Sequence, residues 1–168
     1  MDTLEAIKSR RVVRAFANRP VETDKLVQIV DAGRHAMSAR NLQPWRFVVV
    51  TSRDTIAEIA PFCTTGKFVA DAPAFIAILK DTENARWADV DCGQAVQNMA
   101  TAAWSLGLGT CWVGNFEAGG IHKVLGVPAG WALFTILPFG YPDPAIPPKN
   151  QVLKPKAEVV HLEHWGKH

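Results

Sequence analysis

The stretch "ARWADVDCGQAVQNMATAAWSLGLG", residues 85 to 109, decides how the rest of this chain is read. Val96, Met99, Ala100, Ala103 and Trp104 recur at helical spacing and predict a helix over 86–106. Gly107 and Gly109 stop it, as glycines do at helix C-termini. A helix that is apolar around most of its girth lies in the middle of something larger. Downstream, "TCWVG" (110 to 114) reads as a strand, "FEAGGIHKVLG" as a short helix, and "WALFTILPFGYP" (131 to 142) holds another strand. Upstream, "APAFIAILK" (72 to 80) is continuously apolar and predicts a strand buried on both faces. "WRFVVV" (45 to 50) is a β-rich strand, and "SRDTIAEIAPF" a short capped helix.

Nearer the N-terminus, Leu26, Ile29, Val30 and Gly33 follow helical spacing over 23–36, with Thr23 as the expected N-cap. Residues 2 to 9 predict a first helix, with Asp2 as cap, Glu5 three positions on, and an apolar side of Leu4 and Ile7. "PDPAIPPKNQVLKPK" is a proline-rich arm that reaches over a neighbour and predicts a homodimer. "AEVVHLEHWGKH" reads as one more strand. Alternating helices and strands give an α/β or α+β fold with a mixed sheet. No repeat or boundary divides residues 1–168, so a single domain is expected.

Composition narrows the functions. Hydrophobic residues make up 48% and charged residues 20% of the 168, and the net charge is +2. That balance argues against nucleic acid, which calls for a basic face. Cys63, Cys92 and Cys111 are odd in number and lack CxxC spacing. This disfavours a disulfide framework or a metal site and fits a reducing cytoplasm. The start "MDTLEAIKSR" lacks the apolar core of a signal peptide, and no apolar run reaches the ~18 residues of a membrane span. The six tryptophans are expected mostly in the core. His161, His164 and His168 read as surface histidines.

Three clusters carry chemistry. "SRRVVRAF" places Arg10, Arg11 and Arg14 within five positions, interleaved with Val12, Val13 and Phe16. Guanidinium forks suit a phosphate monoester; the alternative is the solvated, cation-favouring end of the first helix. "SARNLQPW" sets Ser38, Asn41 and Gln43 in a loop before a strand, either to read the polar edge of a ring or to satisfy their own turn. In "GLGTCWVGNFE", Gly114 lets a backbone approach a ligand closely, or simply ends a strand. The GLG there precedes a strand rather than opening a helix, so it is no dinucleotide fingerprint.

Together these segments resemble the nitroreductase family. "IKSRRVVRAF" is similar to its N-terminal "RRSxRxF", and "AMSARNLQPWRFVVV" to "APSxxNxQPWxFxVV". "DAPAFIAIL" looks like the strand after the family's second variable region. "DCGQAVQNMATAAWSLGLGTCWVG" resembles "DxGxAxQNLxLAAxxLGLGxxWxG", and "FGYPDPAIPPKNQ" the "xGYPxExPxPKxR" arm. The resemblance implies an α+β fold, a mixed sheet flanked by helices, in an interlocked homodimer with FMN at the interface. By position, Arg10, Arg11 and Arg14 would hold the phosphate and the pyrimidine edge. Ser38, Asn41 and Gln43 from the partner copy would contact the ring and ribityl chain, and Val113 and Gly114 would offer N–H groups near N5. The family serine is Val12 here, whose backbone N–H would replace the hydroxyl. Gln151 stands where the family has arginine, which leaves Lys149 or Lys154 to supply that cation. The implied activity is ping-pong hydride transfer from NADH or NADPH through flavin N5 to a small electrophile such as a nitroaromatic or quinone. Arg14 and Gly114 would assist directly. The alternative is an FMN-binding module for storage or sensing, without nicotinamide turnover.

Overall fold

The computed structural model describes residues 1–167. Its centre is β2 (Ala74–Asp81), whose residues from Ala74 to Leu79 are all buried. Successive side chains of a strand point to opposite faces. Accordingly Ala74, Ile76 and Ile78 join one apolar core, and Phe75, Ala77 and Leu79 join another. The first core is roofed by α2 (Thr23–Arg34) and α4 (Ala88–Ser105), through Leu26, Ile29, Cys92 and Met99. The second is closed by α3 (Arg53–Ile59) and α5 (Ala118–Leu125), through Ile56, Ile59 and Ile121. Gly33 permits the close approach of α2 to α4, since a Cβ there would stand 2.7 Å from Met99 Cγ.

β2 is flanked by β1 (Trp45–Val50) and β4 (Trp131–Gly140), and β3 (Gly109–Thr110) lies outside β4. All three ladders are antiparallel, with a register shift at Ile78/Leu79 in the β2–β4 pair. Parallel pairing enters at one isolated bridge, Val12 to Thr110, where residues 10–16 run beside β3. A Cβ on Gly109 would overlap the side chain of Val13, so glycine here lets that segment lie flat on the sheet edge.

The structure moves several expected boundaries. α1 spans Thr3–Ser9, with Asp2 Oδ1 accepting from the Glu5 N–H at 3.0 Å. Its apolar side faces out: Leu4 is 65% and Ile7 49% exposed, while Ala6 is buried. The N-cap of α2 is Glu22, not Thr23, and the helix ends at Arg34. The third strand is two residues long, because the chain leaves the ladder at Cys111 and touches β4 again only at the Val113–Ile136 bridge. The tail is not a strand. Its described residues form one turn, α6 (Lys156–Val159), with residues 151 to 160 all exposed. Of the tryptophans, Trp45 is buried while Trp87, Trp112 and Trp165 are exposed. Cys63, Cys92 and Cys111 are free thiols, all buried. His164 is exposed and His161 half-buried against Trp165, with ring centroids 4.3 Å apart; His168 lies outside the described residues. Among the described residues no helix is long and apolar enough to cross a membrane.

Candidate functional site

Two regions gather the polar groups singled out in the sequence, one at each end of α4. At its C-terminal end, the Trp104 Nε1–H donates to Ser9 Oγ at 2.9 Å and ties down the last residue of α1. Arg10 is the C-cap, so the chain is already extended where Arg10 and Arg14 would otherwise share a helix face. Extended backbone sends alternate side chains to opposite sides. Val13 is buried beside Ala72, and Val12 and Arg14 face outward.

The three arginines have different environments. Arg11 folds back, its Nη1 donating to the carbonyls of Lys8, Ser9 and Arg10 at 3.1, 2.6 and 3.2 Å. It satisfies carbonyls that the helix end leaves free, and its Nε reaches Asn150 Oδ1 at 3.4 Å. Arg10 Nε is buried and has no hydrogen-bond partner among the described residues. Arg14 is exposed and lies against Cys111. Burial pushes the Cys111 thiol up, and the Arg14 charge opposes it. The Val12 N–H takes no part in the bridge to β3, where Val13 donates to the Thr110 carbonyl at 3.0 Å.

The proline-rich arm closes this region. Its root is fixed by Tyr141, whose hydroxyl donates to Glu22 Oε2 at 2.7 Å and accepts from Lys25 Nζ at 2.7 Å. Lys25 also donates to the Leu106 carbonyl at 3.2 Å. The Tyr141 bond lowers the Glu22 carboxyl to about 2, well below its ordinary range. From there the arm pairs with residues 15–17 and returns over the arginines. Together they enclose a cleft of about 490 Å³, walled by Arg10, Arg14, Ile146, Pro148, Lys149 and Gln151. Lys149 thus stands at the cleft, and Lys154 lies outside its lining. Beyond Cys111, the Val113 N–H is committed to the Ile136 carbonyl at 3.1 Å. The N–H of exposed Gly114 has no partner among the described residues.

At the N-terminal end of α4 lies the loop 38–44. Arg40, Asn41 and Gln43 have φ of 54°, 56° and 49°, left-handed values that residues with side chains seldom adopt. Ser38 Oγ accepts from the Gln43 N–H at 3.0 Å, and Gln43 Nε2 donates to Asn41 Oδ1 at 3.2 Å. The loop is bound to α4 by Asp91, which the candidate residues read from the sequence omit: both its carboxylate oxygens lie 3.2–3.3 Å from the Ala39 N–H. Two features of the sequence mark it: it is an acid in the first turn of a long apolar helix, and it opens the "DxGxAxQN" stretch. Asp91 and Trp104 are 13 residues apart on α4, roughly 20 Å at 1.5 Å per residue. Loop 38–44 and the arginine cleft of one chain therefore do not meet.

The sequence profile of the Nitroreductase family matches residues 7–66 and 63–141. A protein of Methanothermobacter thermautotrophicus, provisionally named NADH dehydrogenase/NAD(P)H nitroreductase, is 35% identical over 98% of this chain and 88% of its own. Among solved structures, an FMN-dependent nitroreductase of Clostridium difficile superimposes with a TM-score of 0.86 at 27% identity, covering 96% of this chain and 99% of that one. An NADPH:FMN oxidoreductase of Vibrio harveyi, solved with NAD+, gives 0.84 at 27% identity, covering 97% and 77%.

Proposed function

This chain belongs to the nitroreductase family, and we propose that it is an FMN-dependent NAD(P)H oxidoreductase acting as a homodimer. The carrying observation is the cleft at Arg10–Arg14. Arg10, whose buried Nε has no partner among the described residues, lines it together with the exposed Arg14 and with Lys149. A doubly charged phosphate monoester supplies the acceptors that this donor set lacks. Bound there, FMN supplies hydride transfer between a nicotinamide and a flat electrophile such as a nitroaromatic or quinone.

The chain's own groups then have separable tasks. Arg10, Arg14 and Lys149 hold the phosphate, and the Val12 N–H stands in for the family hydroxyl. Arg11, which caps α1, fixes the turn that presents its neighbours. Arg14 also places fixed positive charge beside the electron-rich edge of the ring. Gly114 offers its free N–H as the donor that orients the ring, whereas Val113 contributes by holding that backbone on β4. Ser38, Asn41 and Gln43 serve the site of the partner copy, because their own cleft is roughly 20 Å away along α4. The exposed Leu4, Ile7, Val152, Leu153 and Trp165 supply apolar surface for that association. We place the enzyme in the cytoplasm, as one domain over residues 1–168.

Purified protein is expected to be yellow or to take up FMN, and its flavin absorbance to bleach under anaerobic NADH or NADPH. Colourless protein that ignores added FMN contradicts the reading. Bound FMN that neither nucleotide reduces indicates a storage or sensing module instead.

A further inference from the structure

Asp91 is 3% exposed and is the one buried carboxylate among the described residues. A buried charge is ordinarily paired. Among the described residues Asp91 makes no ion pair: Lys80 is joined to Asp89, and the side-chain hydrogen-bonding partner of Asp91 is the Ala39 N–H. Its position in the first turn of α4 is favourable, because an anion there meets the positive end of the helix dipole. That explains how the charge is tolerated. It does not explain why the carboxylate is aimed at a loop 52 positions away in sequence.

The loop supplies the reason. Ser38 enters in extended conformation, and three of the next five residues take left-handed backbone. Such a path persists only where the surroundings over-determine it. Two neighbouring residues of α4 grip its two ends. Asp91 takes the Ala39 N–H, and the Cys92 thiol points to the Pro44 carbonyl at 3.8 Å. Between these grips stand Asn41 and Gln43, both exposed.

We propose that Asp91 is a positioning residue: through the Ala39 N–H its carboxylate fixes the strained loop that presents Ser38, Asn41 and Gln43 to the flavin of the partner copy. The assignment rests on the flavin reading above.

The test is a double-mutant cycle on FMN affinity in the dimer. D91L removes the acceptor and the buried charge together and keeps the branched, four-atom shape of the side chain. A39P removes the donor and keeps the acid; Ala39 opens a short helix after an extended residue, a place where proline fits. Each is expected to weaken FMN binding about tenfold, with the melting temperature of the FMN-free protein not lowered in D91L. The visible circular dichroism of bound flavin should change with it. D91N keeps an oxygen for Ala39 and should restore affinity and spectrum to near wild type. The double variant D91L/A39P should bind no more weakly than the weaker single one. Additive losses, or wild-type affinity and spectrum in both single variants, overturn the assignment while leaving the flavin reading intact. Wild-type protein that does not bind FMN overturns both. Should D91L fail to fold, A39P decides alone.

Discussion

At the C-terminal end of α4, polar groups surround an opening: Arg10 keeps a buried donor without an acceptor, and Arg14 and Lys149 face the cleft. At the N-terminal end, polar groups are turned on one another. Ser38 Oγ accepts from the Gln43 N–H, Gln43 Nε2 donates to Asn41 Oδ1, and Asp91 accepts from the Ala39 N–H, all around left-handed backbone. The first region has charge and lacks a partner. The second has a fixed shape and little charge. A phosphorylated ring needs both, a cationic grip for one end and neutral hydrogen-bonding groups for the other. On the reading proposed above, the helix between them divides these two tasks between two copies.

The contrast sets the order of expected effects. The largest falls on the cationic end. R10A/R14A removes two charge-assisted partners, each worth about 1.5–3 kcal/mol. FMN affinity measured by flavin fluorescence quenching should fall roughly 100-fold or more, while far-ultraviolet circular dichroism stays native. A loss under tenfold would mean that the phosphate is held elsewhere. At the neutral end, N41A and Q43A each remove uncharged hydrogen bonds worth about 1 kcal/mol, so each should weaken FMN roughly fivefold. Equal losses at the two ends would erase the distinction drawn between them.

The smallest effect on FMN affinity lies in the cores behind both regions, where the expected change is in stability. Burial raises the Cys92 thiol to about 12, with the Asp89 and Asp91 charges adding to it, and burial raises Cys63 to about 11. Unfolded thiols ionise near pH 8.5. The folded state therefore holds protons that the unfolded state gives up. This contribution is complete below that pH and is lost as pH rises through 11 to 12. The urea midpoint should decline from pH 8 to 11, and less steeply in C63A/C92A, whatever offset the cavities add.

The cores were the most legible part of the sequence. The unbroken run at 74–79 announced a strand buried on both faces, and the girth of residues 96–104 announced the helix that divides the two regions. Ser52 and Asp2 marked their helix starts because a side-chain cap is local chemistry. Long-range consequences were not legible. That Arg11 folds back on α1 while Arg10 keeps a free donor depends on where the helix stops and where the arm crosses. That Val113 loses its N–H to Ile136 depends on β4, 23 positions away. The turn at Lys156–Val159 replaced an expected strand because strand pairing needs an edge, and a sequence does not show whose. Asp91 was passed over because acids in the first turn of an apolar helix, as Asp89 and Asp91 are, look solvated until the burial of one is seen.

The central claim is that opposite ends of α4, from two copies, complete each FMN site. Differently tagged R10A/R14A and N41A/Q43A chains, co-expressed and purified through both tags, test it most directly by FMN titration. Each mixed dimer then holds one site with both ends intact and one with both ends altered. The account predicts that half of the sites recover wild-type affinity, although neither parent dimer has any such site. Mixed dimers with no wild-type-affinity site would show that each chain builds its site alone, and would contradict it.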